Sequence, residues 1–180
     1  EWAIDGLSGK LFIVQARPET IHSRKKDNSL SEYIIDDTNG TTIRLTGIAV
    51  GDKIGQGKIQ KMYSLDGRDG SFDGSDFQQG DVLVTEMTDP DWEPIMKMAS
   101  AIITNKGGRT CHAAIVAREM GVPAIVGTEN GTEVLFNGEE ITVSCAEGDE
   151  GKVYDGIVPF KLKKTKLNKL PTTKTPIMLN

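Results

Sequence analysis

The stretch from Ala101 to Pro123 constrains the fold more strongly than any other part of the chain. It opens with the apolar run Ala101–Ile103, which is typical of a buried strand. Gly107 and Gly108 follow, and a pair of glycines allows the backbone to take positive φ and to approach a ligand closely. The pattern therefore predicts a strand that ends in a tight glycine turn.

A helix is predicted directly after this turn. Thr110 is a suitable N-cap, residues 111–120 contain strong helix formers, and Gly121 is placed to end the helix. His112 therefore lies in the first helical turn, beside free backbone amides and the positive end of the helix dipole. A helix N-terminus behind a glycine turn is a favourable site for phosphate.

His112 is the candidate reactive residue of this anion site. A neutral imidazole attacks phosphorus, and Arg109 together with the backbone amides could hold the transferred group. No second histidine or carboxylate stands in register for metal ligation. Cys111 has no acid or base beside it in the sequence, so we predict a small packed residue rather than a second nucleophile. From the residues alone, the alternative is that His112 is a structural histidine held by hydrogen bonds.

Charge and composition argue against several classes of function. The 180 residues carry a net charge of −5, which argues against nucleic-acid binding. No apolar segment approaches the roughly 20 residues that span a bilayer, so no membrane role is predicted. Cys111 and Cys145 are far apart and fit no zinc spacing. Reduced thiols in a cytoplasmic protein are the expectation.

Short strands and one further helix make up the rest of the predicted core. The second helix is predicted over residues 89–98, with an acidic first turn that contains proline. The glycines at 55 and 57 are typical of strands bent into a compact, barrel-like sandwich. Together these patterns indicate an α+β fold with three layers, β/β/α. Strands are predicted over residues 33–35, 42–50, 53–63, 81–85, 101–103, 124–127, 139–144 and 151–154.

Both ends of the chain are expected to belong to neighbouring domains. Residues 1–17 are predicted to form a hairpin, and an isolated hairpin is marginal in water. The polar residues 18–30 and the lysine-rich residues 161–175 are predicted to be linkers, and residues 176–180 the first strand of a further domain. The chain is thus expected to be a fragment with one complete domain over residues 31–160.

The segment from Gly107 to Gly127 resembles the phosphohistidine swivelling domain of the PEP-utilising enzymes. It reads GGRTCHAAIVAREMGVPAIVG, and residues 88–96 read TDPDWEPIM. Residues 110–112 together with residues 88–96 resemble the branch of this family whose members phosphorylate pyruvate and consume water. The sister pyruvate, phosphate dikinases and the sugar phosphotransferase Enzyme I usually have Ser where Cys111 stands. The resemblance covers most of the chain and is weakest over residues 64–79.

The resemblance implies a chemical role for the glycine turn and the start of the helix. His112 would be the phosphoryl carrier, taking the β-phosphoryl of ATP and passing it to pyruvate, with AMP and phosphate as the other products. The imidazole nitrogen farther from the backbone would carry the group, and Gly107, Gly108, Arg109 and Thr110 would support it. The family also implies that Thr110 is a regulatory phosphorylation site of a bifunctional kinase/pyrophosphorylase.

The resemblance also assigns the two ends of the chain. Residues 1–17 resemble the last strands of the family's ATP-grasp nucleotide-binding domain, where Glu1 and Gln15 would bind Mg²⁺ and Arg17 would contact phosphates. Residues 176–180 resemble the first strand of the C-terminal PEP/pyruvate barrel. These two domains of the same polypeptide would be the carrier's partners, and the fragment alone is expected to show no turnover.

Two other functions stay open at the level of the sequence. The same carrier domain would also serve a pyruvate, phosphate dikinase or an antibiotic phosphotransferase, which use another acceptor. A stand-alone phosphocarrier or regulatory binding module is the non-enzyme alternative. Residues beyond Asn180 would distinguish them, because a pyruvate barrel and a drug-binding domain differ there.

Overall fold

The computed structural model describes residues 2–14, 29–36, 40–65 and 77–166 of the chain. The strands are β1 (Trp2–Ile4), β2 (Leu11–Ile13), β3 (Ser29–Ile35), β4 (Ile43–Val50), β5 (Ile54–Lys61), β6 (Val82–Thr85), β7 (Ala101–Thr104), β8 (Ala124–Val126), β9 (Glu140–Ser144), β10 (Glu150–Asp155) and β11 (Phe160–Lys166). The helices are α1 (Glu93–Met98), which follows a 3-10 turn over Pro90–Trp92, α2 (His112–Met120) and α3 (Gly131–Val134).

A closed barrel forms the body of the described chain, with the strand order β10-β4-β8-β7-β6-β5-β9. The four strands β5 to β8 run parallel to one another, and the other pairs around the barrel are antiparallel. Helices α1 and α2 form the crossovers between β6, β7 and β8, because parallel neighbours need long connections. The structure is thus a mixed sheet with few helices, and the predicted barrel-like bending is confirmed.

The parallel strands are buried on both faces, which explains their continuous apolar sequences. Side chains alternate along a strand, so Val82 and Val84 pack inside the barrel, whereas Leu83 packs beneath the helices with Met96 and Ala117. Full burial of a valine or leucine side chain contributes about 1.5–3 kcal/mol. This apolar layer between the barrel and the helices fixes the position of α2.

The two glycines of β5 allow a close approach of neighbouring backbone. A Cβ on Gly55 would collide with the carbonyl oxygen of Ser100, and a Cβ on Gly57 would collide with that of Gly80. The glycines are therefore required by contact with the segments that lead into β6 and β7. This is the physical reason behind the bent strand that the sequence predicted.

A two-stranded ribbon, β3 with β11, corrects the two predicted linkers. The strands pair antiparallel from Ser29 opposite Lys166 to Ile35 opposite Phe160. Residues 29, 30 and 161–166 are therefore strand, where the sequence predicted linker. The rest of both predicted linkers, together with the predicted strand 176–180, lies outside the described residues.

The ribbon is stabilised differently on its two faces. Tyr33 and Phe160 contact each other on one face, with ring centroids 5.8 Å apart. On the other face, Lys163 lies 3.5 Å from Glu32, and Lys161 pairs with a carboxylate at the end of β3. The alternation of apolar and lysine residues in β11 has the period of a strand, but its high lysine content is also typical of a solvated linker.

The predicted hairpin at the start of the chain is confirmed as β1 and β2, with Trp2 opposite Ile13. Its apolar side chains are exposed: Trp2 keeps 65% of its accessible surface and Phe12 keeps 53%. An isolated two-stranded hairpin has no core of its own, and these side chains are not buried by the other described residues. Among the described residues, no helix has the length and apolarity needed to cross a membrane.

Candidate functional site

The candidate site lies at the C-terminal ends of the parallel strands β6 and β7. Strand β6 continues into the loop that contains Thr88, and β7 continues into the glycine turn, residues 107–108. The strands pair in register with Thr85 opposite Thr104, so the two loops begin side by side. Loops that follow neighbouring parallel strands converge at one edge of a sheet, where ligands of such sheets bind.

The glycine turn brings the backbone close to the start of α2. Gly107 has φ of 120°, and a Cβ at this position would lie 2.7 Å from Sγ of Cys111. Glycine is therefore required at residue 107, both for its positive φ and for lack of space for a Cβ. Gly108 does not share the positive φ that was expected for the pair; its carbonyl oxygen accepts the N–H of Cys111 at 3.1 Å.

Helix α2 begins at His112, and its N-cap is Cys111 rather than the predicted Thr110. The carbonyl oxygen of Cys111 accepts the N–H of Ile115 at 3.1 Å, so the helix starts one residue later than its sequence indicated. Cys111 provides no side-chain hydrogen bond to the first turn, which leaves its amides available to an anion. The predicted end is confirmed by Gly121, which adopts the left-handed conformation.

The His112 ring is held by a residue to which the sequence assigned no role. Oγ1 of Thr88 lies 3.0 Å from Nδ1 of His112, and Thr88 is only 6% exposed. When Nδ1–H donates to this hydroxyl, the lone pair of Nε2 stays free, because neutral imidazole carries one ring proton. In that tautomer the half-buried histidine has one nitrogen engaged and a free lone pair on the other.

Arg109 and Arg118 shape the rim of the site. Arg109 is exposed and forms an ion pair with Asp149 at 3.0 Å, while Nη1 of Arg118 donates to the carbonyl oxygen of Arg109 at 2.8 Å. The second contact ties the glycine turn to helix α2. Exposed ion pairs contribute about 0–1 kcal/mol, so Asp149 holds Arg109 only weakly.

Both cysteines are free thiols, as expected. Cys111 is half-buried and packs against the core beneath the helices, which supports its prediction as a packed residue. Burial raises the pKa of Cys145 to about 11, so its thiol stays protonated near neutral pH. Cys145 therefore does not have the setting of a reactive thiolate.

The predicted magnesium and nucleotide residues cannot be placed beside this site. Glu1, Gln15 and Arg17 lie outside the described residues, and their roles stay predictions. Within the part of the chain that the structure describes, no group of three or more histidine, cysteine, aspartate or glutamate side chains could hold a metal ion. The donors around His112 suit an anion better than a cation.

A known protein family matches the part of the chain that contains this site. Residues 77–148 match the family described as PEP-utilising enzyme, mobile domain. The match includes residues 107–127 and confirms the resemblance to the PEP-utilising enzymes that was drawn from them.

Relatives of this chain include enzymes named phosphoenolpyruvate synthase. The chain is 53% identical to the phosphoenolpyruvate synthase of Aquifex aeolicus and 52% identical to that of Synechocystis sp., in each case over 100% of this chain. It covers 21% of either relative, so it spans about a fifth of their length. A solution structure of Enzyme I is 30% identical, with 45% of this chain and 34% of that chain covered and a TM-score of 0.39.

Proposed function

We propose that this chain is the phosphocarrier segment of a phosphoenolpyruvate synthase and that Nε2 of His112 carries the phosphoryl group. The observation that carries the proposal is the contact between Nδ1 of His112 and Thr88 at 3.0 Å, at a helix start whose amides lack a side-chain cap. Identity above 50% to enzymes of that name supports the same conclusion.

The proposed reaction is ATP + pyruvate + water to AMP + phosphoenolpyruvate + phosphate. The bond from the β-phosphorus to the oxygen shared with the α-phosphorus breaks as Nε2 of His112 bonds to the β-phosphorus, which releases AMP. Water takes the γ-phosphoryl as phosphate. Pyruvate loses a methyl proton to a base at its own binding site, the resulting enolate oxygen takes the β-phosphoryl from Nε2, and the histidine is regenerated. The covalent intermediate divides one difficult transfer into simpler displacements.

Residues around His112 would stabilise the charge of the transferred group. The amides at the start of α2 and the turn at Gly107 and Gly108 supply hydrogen-bond donors, and Arg109 supplies a cation once it leaves Asp149. Thr110 is exposed beside them. In this proposal, Thr88 keeps the proton on Nδ1 while phosphorus is bound at Nε2.

The rest of the reaction would use parts of a longer polypeptide. The exposed apolar side chains of β1 and β2 support the assignment of residues 1–17 to an ATP-grasp domain, in which Glu1, Gln15 and Arg17 would serve Mg²⁺ and phosphates. When bound there, Mg²⁺ would neutralise phosphate charge. Residues 176–180 would begin the PEP/pyruvate barrel. The two walls of the strand barrel and the helices would be the three layers of the β/β/α arrangement, in a cytoplasmic enzyme.

The chemistry of the label tests the carrier proposal. Full-length enzyme incubated with Mg²⁺ and ATP labelled in the β-phosphoryl is expected to bind label that is labile in acid and stable in base, because a phosphorus–nitrogen bond hydrolyses when protonated. Mass spectrometry of peptides kept at alkaline pH should place the group on His112. Acid-stable label, or label confined to a peptide without this residue, would contradict the proposal.

We also propose that Thr110 is a phosphorylation site that switches the carrier off. Its side chain is exposed and does not cap α2, so a kinase can reach the hydroxyl. A phosphate there would be a dianion two residues before His112, competing for the same amides and repelling the phosphoryl donor. The partner would be a bifunctional kinase/pyrophosphorylase.

Intact-mass analysis tests this switch. After incubation of the full-length enzyme with that regulator and its phosphate donor, the wild type is expected to gain one phosphoryl group and to lose activity. Thr110→Ala should gain none, whereas Thr46→Ala, which changes an exposed threonine in β4, should behave like the wild type. Equal modification of Thr110→Ala and the wild type would exclude the assignment.

A further inference from the structure

A polar cluster in the loops that lead to the candidate site consists of the partly exposed Glu86 and the buried Asn105 and Thr132. Nδ2 of Asn105 donates to Oε1 of Glu86 and to Oγ1 of Thr132, both at 2.6 Å. Oγ1 of Thr132 donates to Oε1 of Glu86 at 3.0 Å. The backbone N–H of Thr132 donates to Oδ1 of Asn105 at 3.0 Å. Each of the three residues is therefore hydrogen-bonded to the other two.

The cluster joins the two loops that form the site. Glu86 follows β6 and stands two residues before Thr88, which contacts the imidazole. Asn105 follows β7 and stands two residues before Gly107. The backbone adds a further link, because the carbonyl oxygen of Glu86 accepts the N–H of Lys106 at 2.9 Å. A displacement between Glu86 and Asn105 would therefore change the position of the histidine's partner relative to the glycine turn.

Polar groups at this depth need a complete set of partners. Asn105 and Thr132 are each only 5% exposed, and both sides of the Asn105 amide group are used. Buried polar networks specify one arrangement when they are fully satisfied. They lose that arrangement when one member is removed, because the remaining groups are left unpaired. The cluster thus acts as a rigid connection rather than as general packing.

The carboxylate of Glu86 is the charged member of this connection. Partial burial would raise the pKa of Glu86, but hydrogen bonds from Thr132, Lys106 and Asn105 outweigh that effect and hold the pKa below its ordinary value. The group is ionised near neutral pH and acts only as an acceptor. Nζ of Lys106 lies 3.4 Å from its second oxygen, so both oxygens have partners on the loop after β7 or on α3.

We propose that Glu86 is a positioning residue for phosphoryl transfer: through Asn105 and Thr132 it fixes the Thr88 loop against the glycine turn and so aims Nε2 of His112. This inference rests on the proposed carrier function and adds a residue to which neither the sequence nor the family resemblance assigned a role. Glu86 acts through Thr88, since its side-chain contacts among the described residues are with Asn105, Thr132 and Lys106 and not with the imidazole.

The test uses Glu86→Gln in the full-length enzyme, with Glu139→Gln as its matched control. The two glutamates are alike in exposure, 40% and 37% for the side chains, and each lies 3.4 Å from a basic side chain, Lys106 or Arg44. Glu139 stands outside the loops around the histidine. Rapid-quench measurement of His112 labelling, from β-labelled ATP and separately from labelled PEP, gives a rate constant and a plateau for each variant.

Glu86→Gln is expected to lower both rate constants about ten- to a hundredfold, with the plateau and the KM values unchanged. Glu139→Gln should match the wild type. Because Glu86 acts through Thr88, the double variant Glu86→Gln/Thr88→Val should be no slower than Thr88→Val alone. If Glu86→Gln does not fold, Thr132→Val tests the same cluster. It removes the hydroxyl but keeps the backbone N–H bonded to Asn105, so a smaller decrease in both rate constants is expected.

Three results would overturn the positioning role. They are a wild-type rate constant in Glu86→Gln, a lowered plateau with an unchanged rate constant, and a double variant slowed by the product of the two single effects. Failure of the carrier proposal looks different, because the wild-type enzyme itself would then carry no label on His112.

Discussion

His112→Asn is expected to abolish phosphoryl uptake in the full-length enzyme, with no label above background from either ATP or PEP. Asparagine keeps a polar group near the place of Nδ1, within reach of Thr88, but it has no ring nitrogen to attack phosphorus. Overall turnover should fall by on the order of a millionfold, as it does when a covalent catalyst loses its nucleophile. Rapid-quench labelling and steady-state formation of PEP from pyruvate measure the two effects.

Cys111→Ser is the matched control for this experiment. Cys111 precedes the histidine, is half-buried and carries a free thiol beside the anion site. Serine keeps its size and is the residue that sister families have at this place. We expect Cys111→Ser to be labelled like the wild type. Label retained by His112→Asn and lost in Cys111→Ser would transfer the carrier role to the thiol.

Thr88→Val is expected to slow the phosphorylation of His112 about a hundredfold. Valine has nearly the shape of threonine, so the packing of this 6%-exposed residue changes little. The hydrogen bond at 3.0 Å from Nδ1 is lost. The ring can then turn, or place its proton on Nε2, and both changes remove the lone pair from the line of attack. Misplacement of a reacting atom by about 1 Å has an effect of this size.

Thr88→Ser separates the hydroxyl from the rest of the side chain. It keeps the oxygen and removes only a methyl group, so a rate constant within a few-fold of the wild type is expected. Rates of labelling from ATP and from PEP should fall by the same factor in Thr88→Val, because both transfers use one imidazole. A wild-type rate in Thr88→Val, or a fall in only one of the two transfers, would contradict the orienting role.

The local part of the site could be predicted from the sequence because its determinants are local. Positive φ at Gly107 and the left-handed end of α2 at Gly121 follow from glycine's lack of a Cβ. The N-cap was predicted one residue early. Thr110 has the better capping side chain, but the turn closed by Gly108 and Cys111 occupies that position before the helix begins.

The contacts that orient the site could not be predicted in the same way. Thr88 and His112 are 24 residues apart, and they meet only because β6 and β7 are parallel and in register. Apolar runs such as residues 81–85 and 101–103 show that strands exist, but not which strands are neighbours. The pairing of Glu86 with Asn105 depends on the same register, and nothing in either local sequence marks it.

The strand character of residues 160–166 was hidden for a related reason. Lysine is common both in solvated linkers and on the outer face of edge strands, so composition does not distinguish the two. The partner strand, residues 29–35, lies more than a hundred residues earlier in the sequence. Only the folded barrel brings the two segments together.

The ribbon of β3 and β11 makes residues 29–166 a cassette, that is, a unit whose first and last residues lie side by side. Ser29 and Lys166 are cross-strand partners, and partners in an antiparallel pair have Cα atoms about 5 Å apart. Removing the cassette would leave a gap that one or two residues could bridge, and a host loop could receive it with little distortion. A polypeptide could thus gain or lose this unit without rearrangement of the parts on either side.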